Sequence, residues 1–155
     1  MIIQKFQKPG PKTTKQILKA MDPKKIRKRL VKQCDELSRQ YVFHRAIIKQ
    51  EDGPRCQRNP AHTGKVQWCH YYGRNLWHLR WDSDNVWAFC SACHRYFDAT
   101  DHPAFTVWLT AKIGQEAYDK LTWRRNGSMK RDTLSLEAMK IKLTKQLEEL
   151  KCKST

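Results

Sequence analysis

No apolar run in this 155-residue chain approaches the ~20 residues needed to span a bilayer. The opening MIIQKFQKPG lacks the uninterrupted apolar core of a secretory signal. The sequence therefore predicts a cytoplasmic protein with no membrane partner. Internal repeats are absent, which argues against a solenoid or an array. Acidic residues are scarce, 15 Asp and Glu against 31 Lys and Arg, for a net charge of +16. Cysteine is the exception to this sparseness, with six residues. Without an export signal, and with two of the six in a CxxCH run, metal binding explains them better than a disulfide framework.

The charge is uneven. Residues 1–50 carry 14 Lys and Arg against 3 acids, residues 51–103 carry 6 against 6, and residues 104–155 carry 11 against 6. A neutral centre rich in Cys and His thus sits between two basic arms. Such a field attracts polyanions, and nucleic acid is the predicted partner. A solvated basic surface, or an arm for anionic lipid or an acidic protein, is the duller alternative.

Four segments are predicted. Residues 1–22, with the Pro, Gly and Lys-rich stretch Lys8–Lys15, form a flexible basic tail. Residues 23–52 form a basic amphipathic helix: Asp22-Pro23 supplies an N-cap and a first-turn proline, and Ile26, Leu30, Cys34, Leu37, Tyr41 and Ile48 recur at helical spacing. Its polar face carries Lys24, Lys25, Arg27, Lys28, Arg29, Lys32 and Arg39. Residues 53–123 form the metal-bearing core, in which GKVQWCHYY and NVWAFC read as two short strands followed by a helix from CHRYFDA and another through Phe105, Trp108, Leu109 and Ile113. Residues 124–155 give a polar turn and a basic helix from about Leu134 to Lys151, with Leu136, Met139, Leu143, Leu147 and Leu150 on one face.

Cys90 and Cys93 are spaced so that both thiolates of a tight turn can face one Zn²⁺. A second CxxC pair is missing, since Cys56 has no cysteine at that distance. His62 can complete a structural zinc site with Cys56, Cys90 and Cys93, and Cys69 is the rival fourth ligand. Cys34 and Cys152 read as free thiols. His44 and His78 have no evident partner.

His70 in an aromatic strand, Asn85 ahead of the second strand and His94 directly after CxxC resemble the HNH endonuclease family. The longer series CHYYGR, LRWDSDN, FCSACHRYF, HPAF and KIGQEAYDKL is similar to phage recombination proteins of the NinG type. The resemblance implies an α+β fold: a small zinc-stabilised ββα-metal core flanked by long basic N- and C-terminal helices. It implies a metal-dependent DNA endonuclease of a bacterial or phage-infected cell, acting in recombination on branched intermediates; a homodimer would suit a symmetrical junction, and the oligomeric state stays open. It also implies His70 as general base, Asn85 as the residue holding the loop and the His70 ring, and His94 as ligand of one catalytic divalent cation, Mg²⁺ or Mn²⁺. Many family members place Asp before the base histidine, whereas Cys69 stands there. Cys69, Asp98 and His102 are the candidates for the rest of that metal's shell. Arg74, Arg80 and Arg95, with Lys28 and Arg29, are the candidate phosphate contacts, although Arg80 has Asp82 and Asp84 close in sequence. Two other classes stay open: a non-catalytic zinc-stabilised nucleic-acid-binding module, and a helical interaction protein.

Overall fold

A computed structural model describes residues 22–47 and 53–152. The basic tail expected over 1–22 and the end of the first helix expected at 48–52 lie outside the described residues, apart from Asp22. Among those described, the order is α1 (Pro23–Arg45), β1 (Val66–His70), β2 (Val86–Cys90), α2 (Ser91–Arg95), a π-helical turn (Tyr96–Thr100), α3 (His102–Ile113), α4 (Gln115–Arg124) and α5 (Thr133–Cys152). The α+β class and the strand, strand, helix order agree with the sequence reading.

The starts of the three longest helices have a local cause. The Asp22 carboxylate accepts from the Lys24 amide at 2.9 Å, and Pro23 occupies the first turn, where its missing N–H is not needed. Asp101 does the same for α3, accepting from the Ala104 amide at 2.9 Å, and Asp132 for α5, accepting from the Ser135 amide at 2.7 Å. Helix α1 stops at Arg45, short of the Asp52-Gly53-Pro54 signal. The tertiary reason is visible at its last residue: Arg45 turns inward, donating to the Ser83 and Val86 carbonyls and lying 4.2 Å from the Trp87 ring centroid. Gly114, at φ 86°, separates α3 from α4 with a backbone turn that a side chain would strain.

The hairpin is antiparallel, with Val66 opposite Cys90 and His70 opposite Val86. Every residue of β2 is buried because both faces of the sheet are covered. On one face Trp68, Val86 and Ala88 meet Leu30, Cys34 and Val42 of α1 and Leu136 and Leu143 of α5. On the other, Cys69, Trp87 and Phe89 meet Phe97, Phe105, Leu109 and Leu121. Phe97 stacks on Phe105 with centroids 4.5 Å apart. The sheet is thus the shared wall of two small cores, and the residues at its ends and edges are left for chemistry.

Candidate functional site

Cys90 is the last residue of β2 and Cys93 lies in the first turn of α2, so the strand-to-helix turn points both sulfurs to one side. Cys56 is delivered by Gln57, which pairs with the free edge of β2. The Gln57 amide donates to the Ala88 carbonyl at 2.8 Å and its side-chain oxygen accepts from the Ala88 amide at 2.8 Å. The Asn59-Pro60 turn then brings His62 back, with the Ala61 amide donating to the Asn59 side chain and the His62 amide to the Asn59 carbonyl, both at 3.0 Å. The ligand atoms of Cys56, His62, Cys90 and Cys93 all lie within 4.8 Å of one another. A tetrahedral zinc with bonds of about 2.3 Å to sulfur needs donor separations of roughly 3.8 Å. The set therefore fits a metal ion such as zinc, and the three cysteines are buried.

Burial alone would raise the Cys90 thiol. Hydrogen bonds from the Cys93 amide and the neighbouring thiols and His62 outweigh it and bring the group down to about 7, toward the thiolate a metal binds. Arg58 adds positive charge, its guanidinium lying 3.8 Å from the Cys93 sulfur and over the rings of Tyr96 and Phe97. Arg58 was not singled out from the sequence; the only signal for it is a cation two residues after Cys56.

Cys69 does not join this cluster. It pairs with Trp87, three positions or roughly 10 Å along the strand from the Val66–Cys90 pair, within the same core but outside the ligand group. Its thiol donates to the Gln67 carbonyl at 3.4 Å, and burial holds it well above the ordinary thiol range. Cys34 is likewise a protonated core thiol, raised to about 11 chiefly by burial, while Cys152 is exposed; both are free.

His70 ends β1 and is 8% exposed. Its Nε2 donates to the Arg80 carbonyl at 3.0 Å, which fixes the tautomer and leaves Nδ1 with its lone pair. Burial, reinforced by the positive charge of Arg74, lowers its pKa to about 4, so the ring is neutral at pH 7. Stability follows with a definite sign. A depressed histidine contributes fully above its unfolded value near 6.5, and the contribution is lost as pH falls toward 4. Between pH 7 and 4 the wild type should lose about 3 kcal/mol more than His70→Gln, which keeps a donor to Arg80 without titrating; denaturant melts at both pH values check this.

Asn85 is fully buried and ties down both ends of the 71–85 loop. Its oxygen accepts from the Tyr72 amide at 2.7 Å, and its nitrogen donates to the carbonyls of Tyr72 at 3.0 Å and Leu79 at 2.9 Å. The expected loop-holding role matches this geometry, but the His70 ring is held by Arg80 and not by Asn85. Asn85→Ala removes the side-chain partner of the part-buried Tyr72 amide and carbonyl, while the Leu79 carbonyl keeps the Asp82 amide, and should cost about 2 kcal/mol, read from the urea midpoint.

His94 lies on α2, with Nδ1 2.7 Å from the side-chain oxygen of Gln67, three residues before His70, and Nε2 2.8 Å from the Asp98 carboxylate. His102 Nε2 instead faces the Tyr71 carbonyl at 3.5 Å. Of the candidates for a second metal, the structure brings His94 and Asp98 together and leaves Cys69 and His102 apart. Among the described residues, Cys56, His62, Cys90 and Cys93 form the only group of three or more metal-ligating side chains.

Between α1 and β1 lies a cleft of about 680 Å³ lined by Lys32, Arg39, Lys65, Trp68, Arg74 and His94, with Asp35 and Glu36 also on its wall. The His70 ring lies edge-on to Trp68, centroids 4.3 Å apart, and the Arg74 guanidinium sits 5.0 Å from the Trp68 ring. Arg80, expected to meet a phosphate or Asp82 or Asp84, is taken up by Asp35 through two bonds of 2.9 and 2.8 Å. Arg124 takes Asp82 and Asp84 instead. Asp35 also accepts from the Trp81 indole at 2.8 Å, so one carboxylate fastens α1 to the loop. Lys28, Arg29 and Arg95 are exposed.

The described residues contain no helix long and apolar enough to cross a membrane. Compared with protein-family models, curated proteins and solved structures, the chain matches none.

Proposed function

We propose that the protein is a metal-dependent endonuclease of the HNH kind that hydrolyses DNA phosphodiester bonds. The observation that carries this reading is His70: a neutral imidazole anchored through Nε2 to a backbone carbonyl, its Nδ1 lone pair unengaged, packed on the Trp68 ring that lines a basic cleft. A ring so held can take a proton from water, and its low pKa keeps it unprotonated across the physiological range. Arg74, Lys32 and Lys65 supply positive charge for the phosphates on either side of the scissile bond, while Arg39 is held by Glu36 at 2.7 Å.

His94 and Asp98 would hold the catalytic cation. One imidazole nitrogen and one carboxylate oxygen leave most coordination positions to water and phosphate, which suits Mg²⁺ or Mn²⁺. When bound, such an ion supplies Lewis-acid stabilisation of the phosphoryl and departing 3′ oxygens. The cysteine-rich cluster has a different task, holding the strand-to-helix turn that presents His94. Asn85 shapes the loop whose Arg80 carbonyl orients His70.

The test is incubation of zinc-loaded protein with labelled linear and branched DNA, with and without added Mg²⁺ or Mn²⁺. Cleavage that requires the added ion is expected, and the branched substrate shows whether recombination intermediates are preferred. Binding without cleavage under either ion would move the function to a zinc-stabilised nucleic-acid-binding module, which the metal cluster and basic surface would equally serve.

A further inference from the structure

Trp123 projects from α4 with 78% of its surface exposed, on the side of the molecule built from the 71–85 loop and the turn after α4. A lone exposed tryptophan has little meaning. The surroundings of this one are organised. The turn 124–128 is pinned to the loop by the His78 ring, whose Nε2 donates to the Arg125 carbonyl at 3.2 Å, and Gly127 lets the turn approach that ring: a Cβ there would meet the Arg124 carbonyl at 3.1 Å and His78 at 3.6 Å. Trp123, His78, Asn126 and Ser128 then border a depression of about 350 Å³, within the range of small-ligand pockets.

Charge identifies the occupant. Arg125, Lys130 and Arg131 are exposed and form no salt bridge among the described residues, although the Lys130 charge reaches the Asp132 carboxylate. Two of them lie on further aromatic rings, Arg125 over Tyr72 at 5.2 Å and Arg131 over Trp77 at 4.9 Å. Of the nearby acids, Asp82 and Asp84 are engaged by Arg124, Asp119, one turn before Trp123, by Gln115 at 2.7 Å, and Asp132 accepts from the Ser135 amide while facing Lys130. Exposed ring, adjoining depression and exposed cations outside any salt bridge are the parts by which single strands are held, bases on aromatic faces and phosphates on Arg and Lys.

We infer that the Trp123 face binds unpaired bases of single-stranded DNA, with Arg125, Lys130 and Arg131 on the phosphates. A duplex cannot offer a base face to Trp123 without unstacking, so the site favours single-stranded segments. The inference goes beyond the nuclease reading and stands without it, because binding here needs no cleavage.

The experiment is fluorescence anisotropy of a labelled oligothymidylate and of a duplex of equal length, using zinc-loaded full-length protein without added Mg²⁺ or Mn²⁺. Trp123→Ala should weaken single-strand binding about ten-fold while duplex binding changes less than about two-fold, and Trp123→Phe should restore most of the loss. The melting temperature of each variant confirms that the fold is kept. Unchanged single-strand affinity, as expected if the face meets a protein instead, would overturn the inference. So would equal weakening toward both nucleic acids. Failure of cleavage with this pattern intact would count against the nuclease alone.

Discussion

Cys90→Ser is expected to lose the bound metal and unfold the centre of the protein. Structural zinc contributes apparent binding energies of about 10–16 kcal/mol in small domains, comparable to the entire stability of a typical fold. Here Cys56 and His62 come from a segment with little secondary structure, held to the sheet edge by Gln57 and the Asn59 turn. Without the metal, little else retains that segment. A loss of about 5 kcal/mol or more follows, roughly 10–20 °C in melting temperature for a domain of this length. Cys93→Ser should behave alike, whereas Cys69→Ser should keep its metal, since its thiol bonds to backbone at Gln67 and Phe89 and lies outside the ligand group. The α1–α5 pair has its own core around Leu30, Cys34, Val42, Leu136 and Leu143, so much of the helical circular dichroism should survive. Metal content per chain and thermal melts decide the matter; a Cys90→Ser protein with full zinc and an unshifted melt would refute the assignment.

The second large effect is catalytic. His70→Ala is expected to lower DNA cleavage by about 10²–10⁴-fold, the usual range for removing a positioned general base, while affinity for DNA stays close to wild type because the phosphate contacts are borne by other residues. The pH profile gives an independent signature. With a pKa of about 4, His70 is in its basic form throughout pH 5–8, so cleavage should show no rising limb near the ordinary histidine value of 6.5. His94→Ala should also abolish cleavage but leave the melting temperature near wild type, since His94 bonds only to Gln67 and Asp98 at a half-exposed position. Wholesale unfolding of that variant would assign His94 to holding the fold instead.

Much of this arrangement was legible in the sequence because the signals are local. The Asp22-Pro23 start, the leucine stripe of α5 and the two aromatic strands are set by spacing and capping, which act within a few residues. The cysteine-rich cluster was legible as well, except for the choice between His62 and Cys69. That choice depends on strand register: with Val66 opposite Cys90, Cys69 falls opposite Trp87, three positions along the hairpin from the cluster. Register is a property of the pair and is invisible in either strand alone. The partners of Arg80 and His70 were hidden for the same kind of reason. Asp35 lies 45 residues from Arg80 on another element, and the Arg80 carbonyl that orients His70 is backbone, with no sequence signature. The early end of α1 likewise reflects burial of Arg45 against Trp87, a tertiary contact that overrides the glycine and proline downstream.

The most direct measurement is nicking of supercoiled plasmid by zinc-loaded wild-type and His70→Ala proteins in Mn²⁺ or Mg²⁺, alongside their DNA affinities. Cleavage by the wild type that depends on the added ion and disappears in the variant, at matched affinity and zinc content, is the predicted result. Equal cleavage by both proteins, or none by either at full DNA binding, would contradict it.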